Sequence, residues 1–241
     1  MRLDVYLFDN SLVNSRTEAK NFILDGAVTV NGKVIKKPSF DILGDEEIFV
    51  DKSGKKYVSR GGYKLEAALD KFGIDPRGAF ALDVGASSGG FTDCLLQRGA
   101  ARVIAVDSGS GQMVESLLKD DRITVIENFN ARYMTASDFE YRPNLAVMDV
   151  SFISSKHIIP AVYGVLSDNG RFVCLIKPQF EVGRGGLNKK GIVKNTELRK
   201  KAVDDVLEFA TCIGFKVNGV IESPITGGDG NIEYLAYFDK I

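Results

Sequence analysis

The chain has 241 residues, and its 44% apolar and 26% charged residues are typical of a soluble globular protein, which excludes global disorder. The formal net charge of -1 excludes a strongly basic chain that coats nucleic acid by bulk charge, but it leaves room for a local basic patch. No run approaches about 18 uncharged apolar residues and no signal peptide is readable, so the sequence predicts a cytoplasmic protein without a membrane-spanning helix.

A small α+β domain is predicted for residues 1–51. Its first element is a short apolar helix within 3–13. A capping box follows, in which Ser15 precedes Glu18 by three residues, and this pattern indicates the start of a second helix. Gly26 is placed to end that helix.

A β-hairpin is predicted next in this domain. Residues 28–35 alternate in polarity around Asn31 and Gly32, and an Asn-Gly pair between alternating strands is a strong signal for a tight hairpin. Residues 47–50 offer one more strand. Residues 52–62 are basic and contain glycines, so we interpret them as a linker.

Residues 63–241 alternate between strands and helices, which predicts a Rossmann-like, doubly wound α/β domain. The strands are continuous apolar runs, as expected where a parallel sheet is buried on both faces. Strands are predicted at 80–84, 103–107, 145–149 and 172–176, with two more near 215–222 and 233–238. Helices are predicted near 63–72, 90–99, 111–119 and 156–166, with a long amphipathic helix after Asn195.

The cysteines and the single histidine do not form a pattern typical of a metal site. Cys94, Cys174 and Cys212 form no short-spaced pair, which favours buried, reduced thiols over a disulfide framework or a zinc site. The single histidine, His157, would have to carry any His-based triad or metal site alone. We therefore expect no bound metal and chemistry that uses Lys, Asp and Glu.

A glycine-rich turn where the first strand of this domain meets its first helix is a candidate cofactor site. Ligands of open α/β sheets bind at the carboxyl ends of strands, and glycines let the backbone approach them closely. Asp107 ends the next strand, where an acidic residue can take the ribose hydroxyls of an adenosine cofactor. The G-x-x-x-G-G spacing favours S-adenosylmethionine over a dinucleotide, with a tight turn that holds no ligand as the alternative. The predicted cofactor residues of the turn are Asp83, Gly85, Ala86, Ser87, Gly89, Gly90 and Phe91.

A lysine and several carboxylates mark the same edge of the predicted sheet. Asp149 and Lys177 end the third and fourth strands, as Asp107 ends the second. Pro178 biases Lys177 toward extended geometry. A lysine at the end of a buried strand is unusual, because lysines favour solvated positions. The alternative is an ordinary surface charge.

These motifs resemble those of the TlyA group of ribose methyltransferases, often labelled haemolysins. The group joins an FtsJ-like methyltransferase domain to a small RNA-binding domain of the ribosomal-protein-S-four type, and the first 50 residues are similar to that small domain. The shared motifs are Ser-Arg-Gly-Gly-Tyr-Lys-Leu at 59–65, Asp-Val-Gly-Ala-Ser-Ser-Gly-Gly-Phe-Thr at 83–92, Asn-Ala-Arg at 130–132, Asp-Val-Ser-Phe-Ile-Ser at 149–154, Lys-Pro-Gln-Phe-Glu-Val-Gly at 177–183 and Gly-Asn-Ile-Glu-Tyr at 230–234.

The resemblance implies a catalytic tetrad of Lys64, Asp149, Lys177 and Glu233. Lys177 would take the proton of a ribose 2′-hydroxyl, Lys64 and Asp149 would orient it, and Glu233 would complete the cluster. The resemblance also adds Asn130 and Asp149 to the cofactor site. It implies S-adenosylmethionine as the cofactor and a cytidine in rRNA, within ribosomal subunits, as the substrate. The chain departs from the family pattern at 55–58, where Lys-Lys-Tyr-Val stands in place of the frequent Arg-x-Trp-Val.

RNA contacts are predicted from segregated basic residues rather than from net charge, and a mixed-charge solvated surface is the alternative. Residues 181–195 form a glycine-containing basic segment that we interpret as a mobile lid. The predicted RNA-binding residues are Arg16, Lys20, Lys33, Lys36, Lys37, Lys55, Lys56, Arg60, Arg184 and Lys189.

Three other functions remain open from the sequence. The first is a membrane-active haemolysin, which the lack of a span and an export signal disfavours. The second is an RNA-binding protein that keeps the methyltransferase fold without activity. The third is an NAD-dependent oxidoreductase, which the glycine spacing disfavours. A monomer and a weak homodimer are both compatible with the sequence.

Overall fold

The computed structural model describes residues 1–13, 15–24, 26–51 and 56–241. Its backbone divides into two compact units, residues 1–60 and 61–241, which we describe one at a time. The boundaries that the sequence suggests, 51 and 62, stay predictions. Lys55 lies outside the described residues.

The first unit packs two helices against a three-stranded antiparallel sheet. The sheet order is β2-β1-β3. Apolar side chains from both helices and from β1 form its core, among them Leu3, Phe22 and Val28. The helices are α1 (Leu3–Asp9) and α2 (Arg16–Leu24), and the strands are β1 (Val28–Val30), β2 (Lys33–Val34) and β3 (Ile48–Val50).

The helix start and the hairpin turn that the sequence predicts in this unit are both present. The Glu18 N–H donates to Ser15 Oγ at 3.1 Å at the start of α2. Asn31 and Gly32 have φ values of 50° and 73°, the left-handed conformation that a tight two-residue hairpin turn requires. The predicted hairpin is therefore confirmed, with Thr29 paired to Val34.

The second unit is built on a seven-stranded sheet with the order β6-β5-β4-β7-β8-β10-β9. Its helices are α3 (Gly61–Phe72), α4 (Gly90–Gln97), α5 (Glu115–Leu118), α6 (Ile159–Val165), α7 (Pro178–Glu181) and α8 (Thr196–Ile213). Its strands are β4 (Phe80–Val84), β5 (Arg102–Val106), β6 (Ile123–Ile126), β7 (Leu145–Met148), β8 (Arg171–Ile176), β9 (Phe215–Glu222) and β10 (Tyr234–Lys240). The predicted α/β fold class is confirmed.

Strand direction decides which residues meet at the functional edge. Strands β4 to β8 are parallel, so their carboxyl ends share one edge. Strand β10 runs antiparallel to β8, with Tyr234 opposite Ile176. The beginning of β10 therefore lies at the same edge as the end of β8.

Three local expectations were wrong. No strand was predicted at β6, although Ile-Thr-Val-Ile is rich in β-branched residues that favour strands. The helix expected over 111–119 is shortened to α5, because Gly111 has a left-handed φ of 64° and Val114 is extended. The helix expected over 156–166 begins later, at α6, after a 3₁₀ turn over Ser155–His157.

The cysteines differ in their surroundings. Cys94 and Cys174 are buried, and burial raises the pKa of the Cys174 thiol well above its ordinary value. Cys212 is exposed, which contradicts the expectation of three buried thiols. It lies near the end of α8, whose buried residues are Ala202, Val203, Val206 and Ala210, so Cys212 falls outside the apolar stripe.

Candidate active site

A glycine turn brings the ends of β4 and β7 together. The N–H groups of Gly85 and Ala86 both donate to the Val106 carbonyl, at 2.9 and 3.2 Å, which bends the chain as it leaves β4. Gly85 has a φ of 83°, and a Cβ there would lie 2.5 Å from the Asp149 carbonyl oxygen. Only glycine satisfies both constraints at this position.

Asp107 organises the backbone around this turn. Its Oδ2 accepts from the Ser87 N–H at 2.8 Å, and its Oδ1 accepts from the Gly109 N–H at 2.7 Å. Each carboxylate oxygen has a second lone pair. The side chain is thus held in place and can still accept hydrogen bonds from a ligand.

A cleft of about 710 Å³ opens beside Asp107. Five of the predicted cofactor residues line it, namely Gly85, Ser87, Asp107, Asn130 and Asp149. The other five are buried and are not among its lining residues; these are Asp83, Ala86, Gly89, Gly90 and Phe91.

The far wall of the cleft was not predicted from the sequence. Asn128 and Phe129 line it, and they follow β6, the strand that was not predicted. The Phe129 N–H donates to the Asp107 carbonyl at 2.9 Å, which holds this wall against the end of β5. The β-branched run of β6 was the signal that could have found it. The other lining residues that were not predicted are Val84, Val106, Ser108, Gln112, Ala131, Val150, Ser151, Phe152, Ile153 and Ile158.

Asp83 lies fully buried inside β4 rather than in the cleft. Thr92 Oγ1 donates to its Oδ2 at 2.6 Å, while its Oδ1 has no hydrogen-bond partner among the described residues. Burial raises the pKa of Asp83 to about 7, and the charge of Asp149 adds to the rise, although the Thr92 hydrogen bond opposes it.

An ion pair joins the ends of β7 and β8. Lys177 Nζ lies 2.6 Å from Asp149 Oδ1, and both side chains are largely shielded from solvent. The hydrogen bond of Nζ goes to Ser151 Oγ, at 2.7 Å. Asp149 Oδ1 is buried and accepts no well-directed hydrogen bond from a described residue, so the contact with Lys177 is ionic.

A second ion pair lies at the same edge. Lys64 Nζ, from α3, donates to Glu233 Oε2 at 2.5 Å, and both residues are buried. Gln179 Nε2, just after Lys177, donates to Glu233 Oε1 at 3.3 Å. Tyr234 pairs with Ile176 in the antiparallel ladder. Because Glu233 precedes Tyr234 and Lys177 follows Ile176, this pairing brings the two ion pairs close together. The four residues of the implied tetrad thus form two ion pairs at one edge.

The FtsJ-like methyltransferase family matches residues 57–240. The chain belongs to this family. Residues 1–48 match the S4 domain.

Two relatives span nearly the whole chain. The 16S/23S rRNA (cytidine-2'-O)-methyltransferase TlyA of Mycobacterium tuberculosis is 40% identical over 98% of this chain and 88% of its own length. Hemolysin A of Brachyspira hyodysenteriae is 44% identical over 99% of both chains. Methyltransferase names and hemolysin names thus both occur among relatives that align with nearly the whole of this chain.

Solved structures share the architecture. A hemolysin-named protein of Streptococcus thermophilus is 43% identical, with a TM-score of 0.80 over 100% of this chain and 88% of its own. An S-adenosylmethionine-dependent methyltransferase of Mesorhizobium loti is 16% identical, with a TM-score of 0.54 over 72% of this chain and 96% of its own. The second likeness concerns the fold alone.

The segment predicted as a lid is anchored at one end in this FtsJ-like domain. Asn231 Oδ1 accepts from the Val193 N–H at 3.0 Å, and Asn231 Nδ2 donates to the Gly191 carbonyl at 3.1 Å. Arg199 Nη1 donates to the Val193 and Lys194 carbonyls. Mobility of the remainder stays a prediction.

The predicted RNA-binding residues are spread over both units. Lys20, Lys33, Lys36 and Lys37 are exposed in the first unit, where Arg16 Nη2 also lies 3.5 Å from the buried Asp4 carboxylate. Lys56 and Arg60 fall at the end of the first unit, and Lys189 is exposed in the FtsJ-like domain. Arg184 begins a 3₁₀ turn.

No described helix has the length and apolarity needed to cross a membrane. Over the ranges that the structure describes, no three His, Cys, Asp or Glu side chains are grouped so that they could hold a metal ion.

Proposed function

We propose that this protein methylates the ribose 2′-hydroxyl of a cytidine in rRNA, with S-adenosylmethionine as methyl donor. The observation that carries the proposal is the contact between Asp149 and Lys177. Asp149 lines the cleft, and Lys177 Nζ lies 2.6 Å from its carboxylate. A candidate base thus stands directly beside the candidate cofactor site.

The residues of the cleft fit an adenosine-containing cofactor. Gly85 lets the turn pack directly against the Asp149 backbone at the wall of the cleft, and the fixed carboxylate of Asp107 can accept hydrogen bonds from ribose hydroxyls. Asn130 and Asp149 offer further polar groups along the walls. When bound, S-adenosylmethionine supplies an electrophilic methyl group on a sulfonium.

Lys177 is the group that takes the proton in this proposal. An ammonium has no lone pair, so Lys177 acts as a base only in its neutral form. Its Nζ accepts the 2′-hydroxyl proton while the ribose oxygen forms its bond to the methyl carbon, whose bond to the sulfonium sulfur would break and leave its electron pair on sulfur. Asp149 holds Nζ in place, and in-line placement of the hydroxyl supplies a large share of the rate enhancement.

The RNA substrate is proposed from the first unit and from the relatives. A match to the S4 domain covers residues 1–48, and exposed lysines lie on its hairpin region. The Mycobacterium tuberculosis relative is named for cytidine 2′-O-methylation of rRNA. We propose a cytoplasmic protein that acts on rRNA or on ribosomal subunits.

The test uses the full chain with purified ribosomal subunits and methyl-labelled S-adenosylmethionine, followed by mapping of ribose methyl groups. We expect one methyl group on a cytidine 2′-oxygen, and we expect none with Lys177→Ala. A 2′-deoxycytidine at the mapped position should receive no label. Label on a base or on a protein would overturn the proposal.

The RNA role of the first unit is tested by charge reversal. Lys33→Glu with Lys37→Glu should weaken RNA binding by about tenfold or more and flatten its salt dependence, because phosphate contacts release counterions. The affinity for S-adenosylmethionine should not change. Unchanged RNA binding would remove these lysines from the interface.

A further inference from the structure

The segment 149–155, here called the β7 loop, connects the cleft to Lys177. Two of its side chains contact the lysine. Asp149 Oδ1 lies 2.6 Å from Lys177 Nζ, and Ser151 Oγ accepts a hydrogen bond from Nζ at 2.7 Å. Both loop residues line the cleft.

The far end of the β7 loop is anchored by Glu181. Its carboxylate accepts from Ser154 Oγ at 2.5 Å and from the Ser155 N–H at 2.8 Å, and Ser155 Oγ also donates to it. Glu181 ends α7, and α7 begins directly after Lys177. One short helix therefore holds both the lysine and the loop that carries Ser151.

We propose that Ser151 is a positioning residue for Lys177, an inference that rests on the proposed methyl transfer. A neutral lysine amine has two N–H groups and one lone pair. The hydrogen bond to Ser151 fixes the direction of one N–H, and the charge of Asp149 attracts the other, so the lone pair is left in the one remaining direction. Asp149 alone would allow the amine to rotate about its Cε–Nζ bond, so the serine hydroxyl removes that freedom.

Two matched variants isolate the hydroxyl. Ser151→Thr keeps it, whereas Ser151→Val replaces it by a methyl group of nearly the same shape. Ser151 is exposed and has no left-handed φ, so neither branched side chain should disturb the fold. Ser167→Ala is the control, because Ser167 precedes β8 at the opposite edge of the sheet.

The first readout needs no substrate. The side-chain ammonium signal of Lys177 is assigned by NMR in the full ¹⁵N-lysine-labelled chain, with Lys177→Met as the reference. A hydrogen-bonded N–H exchanges more slowly with water, so exchange should be at least about tenfold faster in Ser151→Val than in Ser151→Thr. Equal exchange in both variants would overturn the proposal.

The second readout is the methyl-transfer rate. At saturating S-adenosylmethionine and RNA, the single-turnover rate of Ser151→Val should fall by more than about tenfold, and Ser151→Thr should retain most of it. Affinities for cofactor and RNA should stay within about twofold of the unchanged protein. A loss of cofactor affinity with an unchanged rate would make Ser151 a binding residue instead and overturn the proposal.

The two readouts also separate this inference from the function on which it rests. An unchanged protein that methylates no ribose overturns the proposed function, whereas the exchange measurement still decides whether Ser151 orders Lys177. Active protein with equal rates in Ser151→Val and Ser151→Thr overturns the inference alone.

Discussion

Lys64 Nζ and Glu233 Oε2 lie 2.5 Å apart in the interior of the second unit, although 169 positions separate the two residues in sequence. Helix α3 supplies the lysine, and the segment before β10 supplies the carboxylate. Removal of one partner from a buried ion pair leaves the other charge without compensation. This pair therefore matters both for the stability of the fold and for the arrangement of the candidate site.

Variants that break this ion pair should affect the stability of the fold and the methyl-transfer rate differently. Lys64→Met should lower the free energy of unfolding by about 3 kcal/mol, because Glu233 is left as an uncompensated buried charge. Lys64→Met combined with Glu233→Gln should recover part of that loss without recovering methyl transfer. Urea unfolding and single-turnover rates measure the two effects. A double variant no more stable than Lys64→Met would contradict the account.

Gly227 makes room for the Glu233 carboxylate. A Cβ at Gly227 would lie 2.5 Å from Glu233 Oε1, and the flexible carboxylate rather than the backbone would have to move. Gly227→Ala should therefore lower the methyl-transfer rate by about tenfold or more while the melting temperature changes little. Gly164→Ala, in open space on α6, is the matched control. Full activity in Gly227→Ala would show that the position of Glu233 does not matter.

We expect Asp107 to contribute to the affinity for S-adenosylmethionine. Asp107→Ala removes the acceptor for two backbone N–H groups and for the proposed ribose contact. Calorimetry should show S-adenosylmethionine binding weakened by more than about tenfold, or about 1.4 kcal/mol. Asp121→Ala, which precedes β6 at the opposite edge of the sheet, should bind normally. Unchanged affinity in Asp107→Ala would remove this residue from the site.

Arginine should not replace Lys177. A guanidinium keeps its proton at any ordinary pH, so Lys177→Arg should be as inactive as Lys177→Met if the residue acts as a base. If Lys177 only holds a phosphate by its charge, arginine should retain substantial activity. Single-turnover rates at saturating RNA distinguish the two roles, and cofactor affinity should be preserved in both variants.

Asp83 should make stability depend on pH. Burial raises its pKa to about 7, above the ordinary value, so the folded chain holds a proton that the unfolded chain releases between about pH 4 and pH 7. Stability should fall as pH rises through that interval, by about 2 kcal/mol between pH 5.5 and pH 8.

Asp83→Asn should remove this dependence, as measured by urea unfolding at the two pH values. Asp75→Asn is the control. The Arg77 hydrogen bonds lower the pKa of Asp75 to about 2, so its contribution is constant across the same interval. A pH dependence that persists in Asp83→Asn would assign the effect to another group.

Much of the fold was predictable because its signals are local. The Asn31-Gly32 turn, the helix start at Ser15 and the apolar runs of β4, β5, β7 and β8 each depend on residues close in sequence. Gly85 and Asp107 were also identifiable, because strand ends of parallel sheets share an edge. That Lys64 and Glu233 belong to one site came only as an expectation from a family resemblance, and their direct pairing was not predicted.

By itself, the sequence determined the α/β class, the glycine turn after β4 and the strand-end positions of Asp149 and Lys177. The tertiary structure alone decided that β10 runs antiparallel to β8, which brings Glu233 to the edge where the parallel strands end. It also decided that Asp83 faces the interior and that Ser151 contacts Lys177. Periodicity and turn chemistry act within a few residues, whereas strand order and direction follow from how whole elements bury their apolar faces against one another.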